Sequence, residues 1–217
     1  MAGKFDPSLR DGFIEFESEL DKSHMFLQLD AYIAFLKMKE AAFKDTVHLF
    51  IVSAFRSFEK QQEIWEQKWL GKLPVDGVDV NTITKDPVTK AQKILEYTAP
   101  PGFSRHHWGT DIDINEVEPD YFELEEGSRV YQWLIQHARK FGFCQSYTEY
   151  NPMRPAGFKE EKWHWSYEPL SYPIWSSQLK QFDHREVYPF LGVEYMHSVK
   201  LFDFIKNVNH CSELVNE

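Results

Sequence analysis

Residues 104–113 read SRHHWGTDID, and residues 161–164 read EKWH. Together these stretches supply three side chains that can bind a metal: His106, Asp113 and His164. Catalytic zinc sites usually use three protein ligands and keep a fourth position for water, whose pKa the metal lowers to about 7. Glu161 adds a carboxylate that is not needed as a ligand and can accept and return a proton. The two stretches therefore predict a catalytic zinc site.

The spacing within each stretch predicts the local backbone. Side chains on one face of a strand are an even number of residues apart. His106 and Asp113 are seven residues apart, so the chain must bend between them, and Gly109 tolerates the angles that a bend requires. Glu161 lies three residues before His164, which excludes a shared regular strand for that pair as well. We therefore expect the first member of each pair on a loop or turn, and the second in a strand, over residues 110–115 and 163–167 respectively.

These stretches resemble signatures of the zinc D-alanyl-D-alanine carboxypeptidases and dipeptidases of VanY type, the LAS metallopeptidases. Residues 104–113 match SxHxxGxxxD, and residues 161–164 match ExWH. Residues 53–57 read SAFRS and are followed by Gln61, which looks like the family's SxxRS segment with its downstream Gln. The resemblance covers roughly residues 29–167. Asp111 departs from the pattern, because many members carry a small residue such as Ala there.

The resemblance implies an α+β fold, in which a small antiparallel sheet carries one zinc ion on one face and helices pack on the other. It also assigns roles to seven side chains: the metal ligands His106, Asp113 and His164, the catalytic groups Glu161 and Arg56, and the substrate contacts Arg56, Ser104 and Gln61. Arg56 would stabilise the oxyanion or hold the terminal carboxylate of the substrate, because a guanidinium offers a planar fork of donors to either. Ser104 contacts substrate or stabilises its own loop, and both alternatives stay open.

Nine histidines make a lone one unremarkable. His107 could bind the metal in place of His106, since consecutive side chains point apart, but the family register favours His106. The other histidines are expected to have surface or structural roles: His24, His48, His137, His184, His197 and His210.

Two carboxylates next to the motif positions have alternatives of their own. Glu160 could act as the base, but Glu161 is the one that stands three residues before His164. Asp111 lies two residues before Asp113 and should share its face of the strand. It is either an acceptor that supports a ligand or an unmatched charge in the pocket. Trp163 and Trp165 are equally compatible with core packing and with stacking on substrate.

The resemblance implies that the enzyme removes the terminal D-Ala from peptidoglycan stem peptides. An L,D-carboxypeptidase, a D,D-dipeptidase and an endolysin-like endopeptidase share the same motifs. A different class is a zinc-binding module without catalysis, as in the hedgehog relatives. Glu161 argues against that class, because a structural zinc more often has four protein ligands and needs no base.

Length and charge limit the remaining choices. The 217 residues suit a single domain, with an N-terminal arm over 1–28, a family-like core over about 29–167 and a C-terminal extension over 168–217. We expect a monomer. The net charge of −10 argues against nucleic acid or an anionic membrane surface as the main partner. No stretch approaches the ~20 apolar residues of a membrane span.

Localisation and disulfide bonding are less constrained. The N-terminal residues lack an apolar signal core, which alone predicts cytoplasm, whereas the family's cell-wall substrates predict the cell envelope, the periplasm or the exterior. Cys144 and Cys211 are too far apart for a CxxC motif, and both a disulfide and two unpaired thiols fit the sequence.

Periodicity and capping residues predict the remaining elements. Helices are expected over residues 24–43, 58–70, 87 to before 100, 128–141 and near 195–205, and further strands over 46–53 and 143–147. The expected helix caps are Ser57, Asp86 and Ser128, with Gly142 as a stop. Residues 71–86 are expected to form a surface loop that borders the cleft, and residues 116–127 a solvated acidic loop.

Overall fold

The computed structural model describes residues 2–182 and 188–211. Within these ranges the strands are β1 (Phe13–Glu17), β2 (His24–Gln28), β3 (Ile51–Ser53), β4 (Asp111–Ile114), β5 (Phe143–Gln145) and β6 (His164–Tyr167). The α-helices are α1 (Leu29–Lys44), α2 (Phe58–Trp69), α3 (Val80–Ile83), α4 (Pro87–Leu95), α5 (Glu125–His137), α6 (Glu168–Gln181) and α7 (Leu201–Lys206). Short 3₁₀ helices lie at Pro7–Leu9, Arg105–Trp108, Pro119–Glu123, Ala138–Phe141 and Val193–Tyr195.

The central sheet has four antiparallel strands in the order β3, β4, β6, β5. On β4 the side chains alternate, so Ile112 and Ile114 face one side while Asp111 and Asp113 face the other. The apolar side packs against α1 and α5 and forms the main core. The polar side carries the motif residues. The expected α+β fold, with helices on one face of a small antiparallel sheet, is confirmed.

The segment before α1 differs from the expectation. Residues 24–28 were predicted as the start of a helix, but they form β2, which pairs with β1 in an antiparallel hairpin. The helix therefore begins at Leu29. Backbone pairing with β1, the preceding strand of the hairpin, overrides the local helical pattern. On this helix Phe35 and Met38 are buried, whereas Leu29 is 42% exposed.

Strand β3 is shorter than predicted, because the Asn115 side chain takes the place of some of the backbone hydrogen bonds that a longer strand would form. Asn115 has a φ of +65°, which turns the chain away after β4. Its side-chain oxygen accepts from the Phe50 N–H at 2.9 Å, and its amide donates to the His48 carbonyl at 2.9 Å. A side chain thus satisfies backbone groups that a longer strand would have paired.

Several helix boundaries also differ from the predictions. Helices α2 and α4 begin where Ser57 and Asp86 cap them, as expected. Helix α5 begins at Glu125, so Ser128 lies within it and donates its N–H to the Leu124 carbonyl at 2.8 Å. Acidic residues at its first turn favour this earlier start. The predicted loop over 116–127 therefore holds a 3₁₀ helix and the first turn of α5.

The C-terminal part of the chain packs on the body. Helix α6, which contains Pro173, is not among the predicted helices, and the helix predicted near 195–205 is a 3₁₀ turn followed by α7. Residues after 188 form a second apolar core with α2 and α4. A disulfide between Cys144 and Cys211, with Cα atoms 5.6 Å apart, attaches this segment to β5. Among the described helices none is long and apolar enough to cross a bilayer.

Candidate metal centre and catalytic site

Three elements bring the predicted ligands together. His106 lies on the 3₁₀ helix Arg105–Trp108, which ends at Gly109 with a φ of +69°. The chain turns there and enters β4, which carries Asp113. On the neighbouring strand His164 is paired directly with Asp113 in the sheet register. The bend expected at Gly109 is therefore present, and it turns a seven-residue separation into a close contact.

The three ligand candidates form one buried cluster. His106 Nε2 lies 3.3 Å from Asp113 Oδ2, and His164 Nδ1 lies 3.3 Å from Asp113 Oδ1. One donor atom from each residue lies within 4.8 Å of the other two. Two ligands of a tetrahedral zinc, each about 2.1 Å from the metal, are about 3.4 Å apart. The two measured separations match that spacing.

Hydrogen bonds outside the cluster show which ring nitrogens face inward. Nδ1 of His106 donates to the Ala54 carbonyl at 2.8 Å, so its Nε2 presents a lone pair to Asp113. Nε2 of His164 donates to Asp111 Oδ2 at 2.9 Å, so its Nδ1 does the same. Asp113 Oδ1 is buried without a hydrogen-bond partner. In the neutral rings these inward nitrogens are lone pairs that face the Asp113 carboxylate. A metal cation between them stabilises this arrangement, and the donor set suits zinc.

The electrostatics of the cluster favour a positive charge. Burial raises the pKa of Asp113, but contacts with His106 and His164 outweigh it and hold that pKa well below its usual value. Burial lowers the pKa of His164, yet its contacts with Asp111, Asp113 and Glu161 raise that pKa well above the ordinary value. The carboxylates that attract a proton to this ring attract a metal cation equally well.

Asp111 supports a ligand candidate, His164, and is not an unmatched charge. It is fully buried, and its Oδ2 accepts from His164 and, at 2.7 Å, from Arg105 Nε. Its Oδ1 accepts from the hydroxyls of Ser166 and Thr110, each at 2.8 Å. Burial raises the pKa of Asp111, but Arg105 and His164 outweigh burial and keep it below its usual range. This carboxylate fixes the tautomer and orientation of His164.

Glu161 lies beside the cluster and Glu160 does not. Glu161 precedes the turn before β6, and its Oε2 is 3.3 Å from His164 Nδ1. The side chain is 7% exposed and lines a cavity of about 360 Å³ that opens over the cluster. Glu160 instead accepts a hydrogen bond from the Tyr131 hydroxyl at 3.1 Å and lines a neighbouring groove. Of the two carboxylates, Glu161 has the position that a general base needs.

Arg56 is fixed at the edge of the cluster. Its Nη1 donates to Gln61 Oε1 at 2.9 Å, and its Nη2 donates to the Ser53 hydroxyl at 3.0 Å and lies 3.6 Å from Asp113 Oδ2. The Gln61 amide in turn donates to the Ala99 carbonyl at 2.6 Å, so both ends of Gln61 are used within the protein. Gln61 thus orients Arg56, and its contact with substrate stays a prediction. Ser104 lines the cavity, and none of the described residues hydrogen-bonds its hydroxyl.

His107 points away from the cluster. Its Nδ1 donates to the Arg56 carbonyl at 2.6 Å, and its Nε2 accepts from the Gly102 N–H at 3.0 Å. Burial is the main cause that lowers its pKa to about 4. Both ring nitrogens are therefore occupied by backbone groups in a neutral ring, which excludes His107 as a ligand in this arrangement.

Among the described residues, the remaining histidines lie away from the ligand cluster, and the two tryptophans of the second motif have different surroundings. His24 is an exposed partner of Glu15, and His210 is bonded to Glu168 at 2.9 Å, while His184 lies outside the described residues. Trp165 belongs to the main core, and Trp163 lines the cavity.

The cavity also contains residues that the sequence did not single out. Tyr147 packs against the His164 ring with centroids 4.8 Å apart, and burial is the main cause that raises its pKa to about 12. Lys68 lies on the α2 wall. Its position was readable, because Gln61, Trp65 and Lys68 follow at helical spacing on the inward face of α2. No comparable signal marks Tyr147. As expected, residues of the 71–86 loop border the cleft.

Comparison with known proteins gives one family. The profile of the VanY family, described as D-alanyl-D-alanine carboxypeptidase, matches residues 24–170. A D-alanyl-D-alanine carboxypeptidase of Enterococcus faecalis is 29% identical over 157 residues, which cover 71% of this chain and 52% of that protein. The chain spans about half the length of the curated relatives it matches, 52% and 56% for two of them.

Two solved structures share the fold. One is a variant of the vancomycin-resistance D,D-pentapeptidase VanY in complex with Zn(II), with a TM-score of 0.56, 22% identity, and coverage of 88% of this chain and 92% of that one. The other is the LdcB LD-carboxypeptidase, with a TM-score of 0.57, 21% identity, and coverage of 91% and 81%. At these identities the likeness establishes the architecture.

Proposed function

The chain belongs to the VanY family of D-alanyl-D-alanine carboxypeptidases, and we propose that it is a zinc-dependent carboxypeptidase of peptidoglycan stem peptides that end in D-Ala-D-Ala. The observation that carries the proposal is the buried cluster of His106, Asp113 and His164, whose inward atoms are lone pairs or carboxylate oxygens. A metal cation stabilises such a cluster. With Glu161 beside it and a cavity above it, the cluster suits hydrolysis better than a purely structural role.

His106, Asp113 and His164 would hold one zinc ion per chain. When bound, zinc supplies Lewis acidity toward the peptide carbonyl and lowers the pKa of a water molecule. The buried carboxylate of Glu161 accepts the proton of the attacking water and then donates it to the leaving amine of the terminal D-Ala. The Asp111 carboxylate holds the His164 ring in the tautomer that directs Nδ1 inward.

Arg56 would act on the carbonyl side of the scissile bond. Its guanidinium is held by Ser53 and Gln61 and lies 3.6 Å from a proposed ligand oxygen, so its position is fixed close to the reacting atoms. A fixed donor there stabilises negative charge that develops on the carbonyl oxygen, without any rearrangement during the reaction. Ser104, which lines the same cavity, is proposed as a substrate contact.

The substrate class suggests where the protein acts. Peptidoglycan lies outside the cytoplasmic membrane, so the protein is proposed to work in the cell envelope or outside the cell. The Cys144–Cys211 disulfide supports this, because disulfides persist in oxidising compartments. The proposed partner is the stem peptide itself, and the protein is proposed to act as a monomer.

The test is incubation of the zinc-loaded protein with pentapeptides and tetrapeptides of peptidoglycan, followed by mass analysis of the products. Loss of a single D-Ala from the pentapeptide is expected. Cleavage of the tetrapeptide alone would instead identify an L,D-carboxypeptidase, and internal cleavage an endopeptidase.

Two variants assign the base in the same assay. Glu161→Gln should bind zinc normally but turn over about 10²- to 10⁴-fold more slowly, because general acid–base catalysis contributes that much. Glu160→Gln, the matched control, should retain near-normal turnover because its carboxylate is bonded to Tyr131. Normal hydrolysis by Glu161→Gln would exclude Glu161 as the base.

A further inference from the structure

Lys68 is a cation of the active-site cavity without an anionic partner. It lies on α2, is partly buried, and lines the same cavity as Glu161 and Arg56. Its Nζ donates one hydrogen bond, to the Thr98 hydroxyl at 2.7 Å. Across residues 2–182 and 188–211, no carboxylate lies within ion-pair distance of this ammonium. By contrast, Lys60 on the same helix is paired with Glu63 at 2.8 Å.

Keeping this charge partly buried has a cost that an anionic ligand would remove. Burial lowers the pKa of Lys68, while the more distant charge of Glu161 opposes that effect and Arg56 adds to it. An ammonium has three donors, and one of these is used by Thr98. Two donors are therefore directed to solvent or to a ligand in the cavity. A carboxylate of the substrate is the group that matches them best.

The Arg56 guanidinium already has partners within the protein. Its two terminal nitrogens contact Gln61, Ser53 and Asp113, which keeps the guanidinium next to the metal cluster. A terminal carboxylate lies one residue beyond the scissile carbonyl, about 3.5 Å further along an extended peptide. The structure thus offers a second cation, Lys68, for the terminal carboxylate of the substrate.

Lys68 lies further along α2 than Gln61, the residue that holds Arg56. Gln61, which holds Arg56, precedes Lys68 by seven residues, and seven residues of helix extend about 10 Å along the axis. Helical side chains lean toward the N-terminus, so the long Lys68 side chain can extend back along α2 toward Gln61 and Arg56. Lys68 and Arg56 line the same cavity.

We propose that Lys68 binds the C-terminal carboxylate of the peptide and that Arg56 serves the carbonyl of the scissile bond. The inference rests on the proposed function, since it assigns the substrate's terminal group to a place in that site. The motif alone leaves two roles with Arg56, stabilising the oxyanion and binding the terminal carboxylate. The proposal gives the first role to Arg56 and the second to Lys68. It also makes Lys68 the residue that distinguishes a free chain end from a continuing chain.

The test compares one D-Ala-D-Ala peptide as a free acid and as its C-terminal amide, with zinc-loaded wild type, Lys68→Met and Lys60→Met. Wild type should prefer the free acid by about tenfold to a hundredfold in kcat/KM, the value of one charge-assisted contact. Lys68→Met keeps the length of the side chain and should lose that preference, mainly through a higher KM for the acid. Lys60→Met should behave as wild type. The ratio of acid to amide within one variant is independent of how much of the protein is folded.

A Lys68→Met protein that still prefers the acid as strongly as wild type would overturn the proposal. If wild type cleaves neither peptide, the proposed function fails, and binding decides the role of Lys68 separately. Calorimetry with the dipeptide D-alanyl-D-alanine and its amide would then be measured on the same three proteins. A preference for the acid that disappears in Lys68→Met would support the carboxylate site, and equal binding of acid and amide by wild type would overturn it.

Discussion

Asp111 is a fully buried carboxylate whose charge is balanced by its surroundings. Arg105 lies against it at 2.7 Å, and the guanidinium also donates to the Ser166 hydroxyl at 2.6 Å and stacks on Trp108. A buried ion pair adds little net stability, but removal of one partner leaves an uncompensated charge. The pair is therefore best understood through what it orients, which is the ring of His164.

The first prediction is that Asp111→Ala weakens zinc binding by about 10- to 100-fold, the usual effect of removing a carboxylate that supports a metal-binding imidazole. The variant should also lose about 3–5 kcal/mol of unfolding free energy, because Arg105 would be buried without its partner. Competition with a chelator measures the affinity, and denaturant unfolding measures the stability.

The double variant Arg105→Met, Asp111→Ala separates the two effects. Removing both charges should restore much of the stability, whereas the zinc affinity should stay low because His164 still lacks its acceptor. Zinc affinity equal to that of wild type in Asp111→Ala would refute the orienting role.

At the residue scale, the sequence was sufficient to predict the proposed ligands, but not the residues that orient them. His106, Asp113 and His164 lie in motifs in which spacing and residue type agree, and the structure brings their donor atoms together. The role of Asp111 depends on Ser166, far along the chain, and on the tautomer of His164. Neither dependence is visible in a local pattern.

At the scale of elements, the site depends on the turn between the 3₁₀ helix Arg105–Trp108 and β4. Gly109 has a φ of +69° and packs directly under the ring of Phe13, which belongs to β1. The Gly109 carbonyl also accepts from the Gln28 N–H at 2.8 Å. The N-terminal hairpin thus supports the bend that sets His106 against Asp113.

The second prediction concerns this bend. Gly109→Ala should lose about 1–2 kcal/mol from the left-handed backbone and, because its Cβ would overlap Phe13, a further ~1–3 kcal/mol of packing. Gly77→Ala is the matched control, since Gly77 has a φ of +72° and an added Cβ would meet nothing within 4 Å. Unfolding free energies and zinc affinities would be measured for both variants.

The control should show only the backbone cost and normal zinc affinity, whereas Gly109→Ala should bind zinc more weakly because His106 and Asp113 move apart. Equal losses in the two variants would contradict a supporting role for the Phe13 contact.

The elements that were predicted correctly are those with local causes. Helices α2 and α4 start at side-chain caps a few residues from the groups they bond, and such caps are readable in sequence. The short β3, by contrast, depends on Asn115, whose side chain bonds Phe50 from 65 residues away in the chain. Non-local pairing of this kind overrides local propensity.

On the scale of the whole molecule, the C-terminal segment joins the two cores. Residues after 188 pack on α2 and α4, and the Cys144–Cys211 disulfide attaches the segment to β5. The Asn209 amide donates to the Gln145 carbonyl at 2.9 Å, and the Gln145 amide donates to the Glu161 carbonyl at 3.2 Å. A continuous set of contacts therefore connects the C-terminal segment to the proposed base.

The last prediction is that Cys211→Ser lowers the unfolding free energy by about 2–4 kcal/mol, as expected for a crosslink that closes a long loop. The cysteines are 67 residues apart, so the disulfide restricts much of the unfolded chain. Zinc stoichiometry should stay at one zinc per chain. The proposed ligands lie on β4, on β6 and on the 3₁₀ helix Arg105–Trp108, and the pairing of β4 with β6 does not involve the disulfide. Reductant should shift the guanidinium unfolding midpoint of wild type to that of the variant and leave the variant unchanged. If reductant moves neither midpoint, the disulfide does not stabilise the fold, and the attachment of the C-terminal segment must come from its other contacts, the second core and the Asn209–Gln145 hydrogen bond.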